Sequence, residues 1–185
     1  MYMRSTTFLF LPLVLLALAQ AGSAQRLPTF AQYKAAAANI RTVNVNVTPK
    51  DAHMYRTNLR TAAKDGVNFA GRFVLTGWGC GTNCSEWAII DGRSGKVYFP
   101  KELQGVGYGF CDLPKNAIPS DTPKAGDEDA GPVFFKKDSR LVLLTGFTGG
   151  GLDNGQAKCG HYFFEWTGTK LRQVKFVAGK RTDTP

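Results

Sequence analysis

Arg72 to Phe99 reads RFVLTGWGCGTNCSEWAIIDGRSGKVYF, and the pattern of this stretch decides the fold. Phe73 and Leu75 alternate with Val74 and Thr76, and Trp87 and Ile89 alternate with Ala88 and Ile90. A period of two belongs to β-strands, whose successive side chains point to opposite faces. Both faces are apolar here, so both should be covered. Asp91-Gly92-Arg93-Ser94-Gly95 is turn-forming and leads into Val97 to Phe99. A second stretch, Arg140 to Phe176, follows the same plan: RLVLLTGFTGGGLDNGQAKCGHYFFEWTGTKLRQVKF. Each opens with Arg and runs through an apolar strand to Thr-Gly and an aromatic residue, Trp78 or Phe147. Each then crosses a Gly-rich loop carrying cysteine, returns through an aromatic strand, and turns into a last strand, the second time at Thr167-Gly168-Thr169. The expected class is α+β, mainly β. An N-terminal helix packs on antiparallel sheets built from two pseudo-repeated three-stranded units, as a sandwich or a partly closed barrel.

Upstream, the helix is expected over about 49–64. Thr48 is an N-cap candidate, Pro49 suits the first helical position, and Asp51 faces the positive end of the helix dipole. Ala52, Tyr55, Leu59 and Ala62 then form one apolar stripe, which Asp65-Gly66 stops. Pro28 to Ala38 predicts a short helix, and Val43, Val45 and Val47 alternate as a strand would. Between the two copies, 105–131 is an irregular excursion punctuated by Pro114, Pro119 and Pro123. Long loops in compact domains are often functional.

The first 24 residues read as a secretory leader. Arg4 supplies a positive start, Phe8 to Ala19 is an uncharged apolar run, and Ala21, Gly22, Ser23 and Ala24 are small. Twelve apolar residues fall short of the roughly 20 that a bilayer core requires. Cleavage is expected after Ala24, with Ala21 second, and an uncleaved N-terminal anchor is the alternative. Removing 24 residues from 185 leaves 161, the length of one domain, 25–185. The leader holds one Arg and no acid, so the formal charge of +9 becomes +8. The Lys and Arg residues are scattered and the chain is expected to be exported, so nucleic acid is not an expected partner.

Four cysteines, Cys80, Cys84, Cys111 and Cys159, follow the leader. An even count in an oxidising compartment reads as two disulfides with three possible connectivities. Cys80 and Cys84 flank the turn-prone Gly81-Thr82-Asn83, which favours Cys80–Cys84 and leaves Cys111–Cys159. A redox catalyst would call for C-x-x-C spacing within a thioredoxin-like βαβ pattern, and neither occurs. Zinc needs about four ligands; His53 and His161 are the only histidines, and their spacing from the cysteines supports no site, so no metal is expected.

Other chemical motifs fall short of their requirements. Gly126 to Gly131 has Walker-like spacing but continues with Pro132-Val133 where Lys-Ser/Thr is required. Gly146-Phe147-Thr148-Gly149-Gly150-Gly151 has no helix after it to complete an anion cradle. Asp121, Asp127, Glu128 and Asp129 lack the spacing of a calcium loop. No cofactor is expected. Glu86 precedes Trp87 and Glu165 precedes Trp166, which pairs each acid with a ring able to stack on a sugar; Asp91 and Glu165 also abut turns, where acids commonly orient the backbone.

At Asn68-Phe69-Ala70-Gly71, Trp78-Gly79-Cys80-Gly81-Thr82-Asn83-Cys84, Ala88 to Asp91 and Gly95 to Tyr98, the chain resembles a family of small exported bacterial proteins of unassigned activity carrying NFAG and WGCGTxC motifs. The resemblance covers about Tyr55 to Val174. It implies export and a Cys80/Cys84 pair, and it supplies no reaction. Arg72-Phe73 and Asn83-Cys84-Ser85 stand where the family pattern has His-Tyr and Ser-Cys-Gln, so no histidine role carries over to position 72.

The expected function is an exported, non-enzymatic binding module of the periplasm or the extracellular space. Its partner is a protein or an envelope polymer, and it would serve as an inhibitor or partner of a cell-envelope enzyme. Trp78, Gly81, Thr82 and Asn83 are the candidate ligand-binding residues. The alternatives are a carboxylate-dependent hydrolase of envelope glycan using Glu86 and Glu165, and a structural envelope protein.

Overall fold

A computed structural model describes residues 26–38, 40, 44–107, 109–123, 132–148 and 158–182. The leader, Val43, the acids Asp127 to Asp129 and the glycines Gly126, Gly131 and Gly149 to Gly151 lie outside the described residues. Three antiparallel sheets form, and none closes on itself among those residues. The first, in the order β1-β2-β3, joins β1 (Phe73–Gly81), β2 (Cys84–Asp91) and β3 (Val97–Tyr98). A small pair joins β4 (Cys111–Asp112) to β9 (Lys180–Arg181). The third, in the order β5-β6-β7-β8, holds β5 (Val133–Phe135), β6 (Leu141–Gly146), β7 (Gly160–Trp166) and β8 (Leu171–Ala178). The C-terminal sheet therefore carries a fourth strand, β5, that the pattern did not reveal.

The period-two pattern sorts into layers. Phe73, Leu75 and Ile89 of the three-stranded sheet share one buried cluster with Val142, Leu144, Phe164 and Trp166 of the four-stranded sheet. Phe73 and Tyr98 both meet the fully buried Trp166 edge to face, at 5.4 and 5.3 Å between ring centroids. The two sheets thus pack face to face, which makes the arrangement sandwich-like. The outer face of the first sheet, Val74, Ala88 and Ile90, is covered by α1 (Lys50–Met54) and α2 (Arg56–Asp65) through Ala52, Leu59 and Ala63. A ten-residue helix is marginal alone; fully buried Leu59 contributes ~2 kcal/mol by burial, so packing holds α2 in place. The outer face of the second sheet, Leu141, Leu143 and Phe163, is covered by Phe30 of the N-terminal strap.

The region upstream of β1 departs from expectation in four places. The helix starts one residue later than Pro49, which is its N-cap, and it breaks at Tyr55. Tyr55 nonetheless keeps its place on the stripe, packed on the same cluster as Leu59, with its ring 4.5 Å from that of Trp78 and its hydroxyl donating to Glu86 Oε2 at 2.5 Å. Pro28 to Ala38 is only a 3-10 turn, Phe30–Tyr33, followed by extended chain bonded to Ser139, Asp138 and Gly71. Val45 and Val47 lie in chain without strand pairing and pack under the helices.

Candidate functional site

The sandwich has two ends, set by the antiparallel hairpins. At one end is the tip between β1 and β2. Gly79 pairs with Ser85 and Gly81 with Cys84, so Cys80 is an extra, bulged residue. The bulge lets Cys80 and Cys84 meet as a disulfide, with Cα atoms 5.1 Å apart. Gly79 to Thr82 are exposed. Asn83 stands at φ 54°, in the left-handed region that Asn tolerates. Its side chain does not face a ligand: Oδ1 accepts from Gly109 N at 2.7 Å. Ser85 and Val106 exchange backbone hydrogen bonds, and Gly107 and Phe147 do the same. The structure therefore brings the predicted tip and the start of the 105–131 excursion together as one surface. The second disulfide, Cys111–Cys159, ties that excursion to the start of β7. No cysteine is free among the described residues.

Phe110 stands out on this surface. It is 55% exposed, and its φ of 65° is uncommon for a bulky residue. Its carbonyl accepts from Thr182 N at 2.9 Å, which holds the conformation beside the Cys111–Cys159 disulfide. Sequence reasoning missed Phe110, because an aromatic residue in a loop reads as core until burial is known. Trp78, by contrast, is half-buried between Tyr55 and Phe99 and belongs to the packing of the helix-covered face.

The acids weighed for catalysis are kept apart. Glu86 pairs across the ladder with Trp78 and binds Tyr55, so it lies on the helix-covered outer face. This hydrogen bond, with some burial, pushes the Tyr55 hydroxyl above its ordinary pKa. Glu165 pairs with Leu141, whose side chain lies on the strap-covered outer face of the other sheet. Facing sheets stand about 10 Å apart, and the two acids lie outside both, whereas a glycosidase needs its carboxyls within about 5–9.5 Å. Glu165 also binds Arg172 and Arg140, and those two guanidiniums hold its carboxyl below the ordinary value against the opposing effect of burial. Asp91 is buried and structural: Oδ1 accepts from Arg93 N at 2.8 Å, closing the turn, and Oδ2 accepts from Arg72 at 3.1 Å.

The remaining candidates are accounted for individually. Asp121 Oδ2 accepts from Ala31 N at 2.9 Å. His53 is exposed on α1, and His161 is buried with Nε2 3.1 Å from Pro114 O; burial lowers its pKa, partly offset by that carbonyl. Among the described residues no group of three metal-ligating side chains gathers, and no helix is long and apolar enough to cross a membrane.

The other end of the sandwich carries a cleft of about 400 Å³ between the Asp91–Gly95 turn and the Thr167–Lys170 turn. Arg72, Arg93 and Arg140 line it, with Phe73 and Trp166. Gly71 lets the strap pass beside it: at φ 79°, an added Cβ would lie 2.0 Å from Ala36 O. A signal for this cleft was present, since each repeated stretch opens with Arg, but convergence of the two arginines needs the tertiary fold. No family model, curated protein or solved structure matches the chain.

Proposed function

We propose that the protein is an exported, non-enzymatic binding module that docks a protein or envelope polymer through the β1–β2 tip and the neighbouring excursion. The observation that carries the reading is Phe110, an exposed ring held at an unfavourable φ beside a disulfide-clamped tip. Backbone strain of this kind persists only where surrounding structure enforces it, and it concentrates at functional positions. A clamped loop loses less entropy on association, and an aromatic ring is a common binding anchor. Gly81 and Thr82 supply the exposed tip, while Asn83 and Trp78 hold its shape.

Binding is favoured over hydrolysis of glycan because Glu86 and Glu165 stand on opposite outer faces and each is engaged by a partner. Two disulfides and the leader pattern support a periplasmic or extracellular location. The likeness of each arginine-led hairpin to the other supports a duplicated unit: Arg72 meets the acid opposite Phe73, and Arg140 meets the acid opposite Leu141. The resemblance to small exported proteins belongs to the same proposal.

The test is photo-crosslinking in the cells that make the protein, with the reactive group at Thr82 or at Thr169 on the opposite end. The expected result is a discrete adduct from Thr82 that is lost in Phe110→Ala, with none from Thr169. Equal labelling from both positions, or an adduct indifferent to Phe110→Ala, would refute the docking surface.

A further inference from the structure

The arginine cleft lies at the end away from the tip and stands on its own observations. Arg72 precedes β1, Arg140 precedes β6 and Arg93 sits in the β2–β3 turn, so three segments distant in sequence deliver one charged group each to the same cleft. Among the described residues no carboxylate lines it. Asp91 meets Arg72, and Glu165 is divided between Arg140 and Arg172, while Arg93 has no acidic partner among the described residues. Arg93 thus carries the uncompensated charge beside two paired arginines, and an anion in the cleft would neutralise it. The Arg72 and Arg140 side chains remain 38% and 42% exposed, within reach of a solute.

Counting donors narrows the site further. Arg140 gives three of its five N–H donors to the protein, Nε and Nη2 to Glu165 and Nη1 to Lys34 O at 2.7 Å. It supplies charge and holds the wall. Arg72 gives Nη2 to Asp91, and its buried Nε has no acceptor. Trp166, 0% exposed, also carries an Nε1–H without an acceptor. Buried donors normally find partners, and these two lie closed to solvent behind the wall of a single cleft, a wall short of acceptors. Apart from Thr167, the accessible remainder of the lining is small and apolar, including Ala36 and Ala38, while Phe73 is buried beneath the Arg72 guanidinium. An inorganic ion would leave that surface uncovered, whereas an anion with a short hydrocarbon body would cover it. The volume is in the range of small-molecule sites, about 300–1,000 Å³.

We propose that this cleft binds a small organic carboxylate, its oxygens accepting from Arg72 and Arg93 and its short apolar body lying on Ala36 and Ala38. Guanidiniums suit this role because their planar donor pairs match a carboxylate.

The test is an NMR titration of the ¹⁵N-labelled protein at constant ionic strength with sodium butyrate, butanol as the neutral isostere, and inorganic phosphate. Butyrate is expected to shift the Trp166 indole N–H and the Arg72 Nε–H resonances saturably, and butanol to shift neither. Arg93→Gln, a change at an exposed side chain, should weaken butyrate binding about tenfold, the loss of one charge-assisted contact, with an unchanged melting temperature. Absence of saturation, saturation indifferent to Arg93→Gln, or tighter binding of phosphate than of butyrate would each overturn the proposal.

Discussion

Removing the two disulfides separately should cost the protein unequal amounts, and the inequality follows from the positions of the cysteines. Cys111–Cys159 joins residues 48 apart, and Cys80–Cys84 joins residues 4 apart. In the chain-entropy description, the first removes roughly 4 kcal/mol of freedom from the unfolded chain and the second roughly 2 kcal/mol. The native state keeps both sites supported without the bonds: Asn83 still binds Gly109, and β4 still pairs with β9. Cys111→Ala/Cys159→Ala should therefore lose about 2 kcal/mol more than Cys80→Ala/Cys84→Ala. Urea unfolding of the oxidised proteins reads this directly. With a slope of about 2 kcal/mol per molar, the two midpoints should differ by about 1 M. The long-loop variant should also show the steeper slope, because its unfolded chain expands further. If the Cys80/Cys84 variant is destabilised as much as the other or more, chain entropy is not what these bonds contribute.

Three further outcomes are expected. Glu165→Gln should destabilise the protein by about 1 kcal/mol at neutral pH, since both of its arginines are more than a third exposed and screened. A carboxyl whose folded pKa is depressed contributes above its unfolded value and loses that contribution as pH falls through the folded value; thermal melts should therefore converge with wild type in acid, and a gap that persists there would contradict the ion-pair assignment. Asn83→Ala should lower the melting temperature and Thr82→Ala should not, because only Asn83 ties the tip to Gly109; equal effects in a thermal melt would contradict this division. Gly77→Ala should cost about 1–3 kcal/mol, because a Cβ there would lie 2.5 Å from the Trp87 indole that crosses it; a neutral result in urea would show that the indole swings aside freely.

The parts of the fold written in adjacent residues were legible. Strand alternation, the turns at Asp91 and Thr167 and the pairing of Cys80 with Cys84 depend on neighbours along the chain, and the structure contains each of them. Features set by contacts across the fold were not. Tyr55 lies on the predicted helical stripe and packs there, yet the helix is interrupted at this residue, where its ring meets Trp78 and its hydroxyl meets Glu86. Val133 to Phe135 is too short to announce a strand until β6 pairs with it. Asn83 looked like a ligand contact because turn residues and binding residues share a composition, and only its bonds to Gly109 identify it as a tie. The arginine cleft was half legible, with Arg72 and Arg140 visible as repeated openings but Arg93 hidden in a turn.

The edges of the two sheets bear on how the molecule behaves in crowded solution. β3 has two residues and β5 three, too few to recruit a neighbouring chain. The longer borders are β1, with nine residues, and β8, with eight, and the exposed or half-buried positions of β8 include Arg172 and Lys175. Two copies joining border to border would stack these cations against one another, so self-association there is opposed by charge. Such opposition is screened by salt over a distance of about 8 Å at physiological ionic strength. Pairing of β8 with β8 should accordingly be resisted in dilute buffer and become easier as salt is raised.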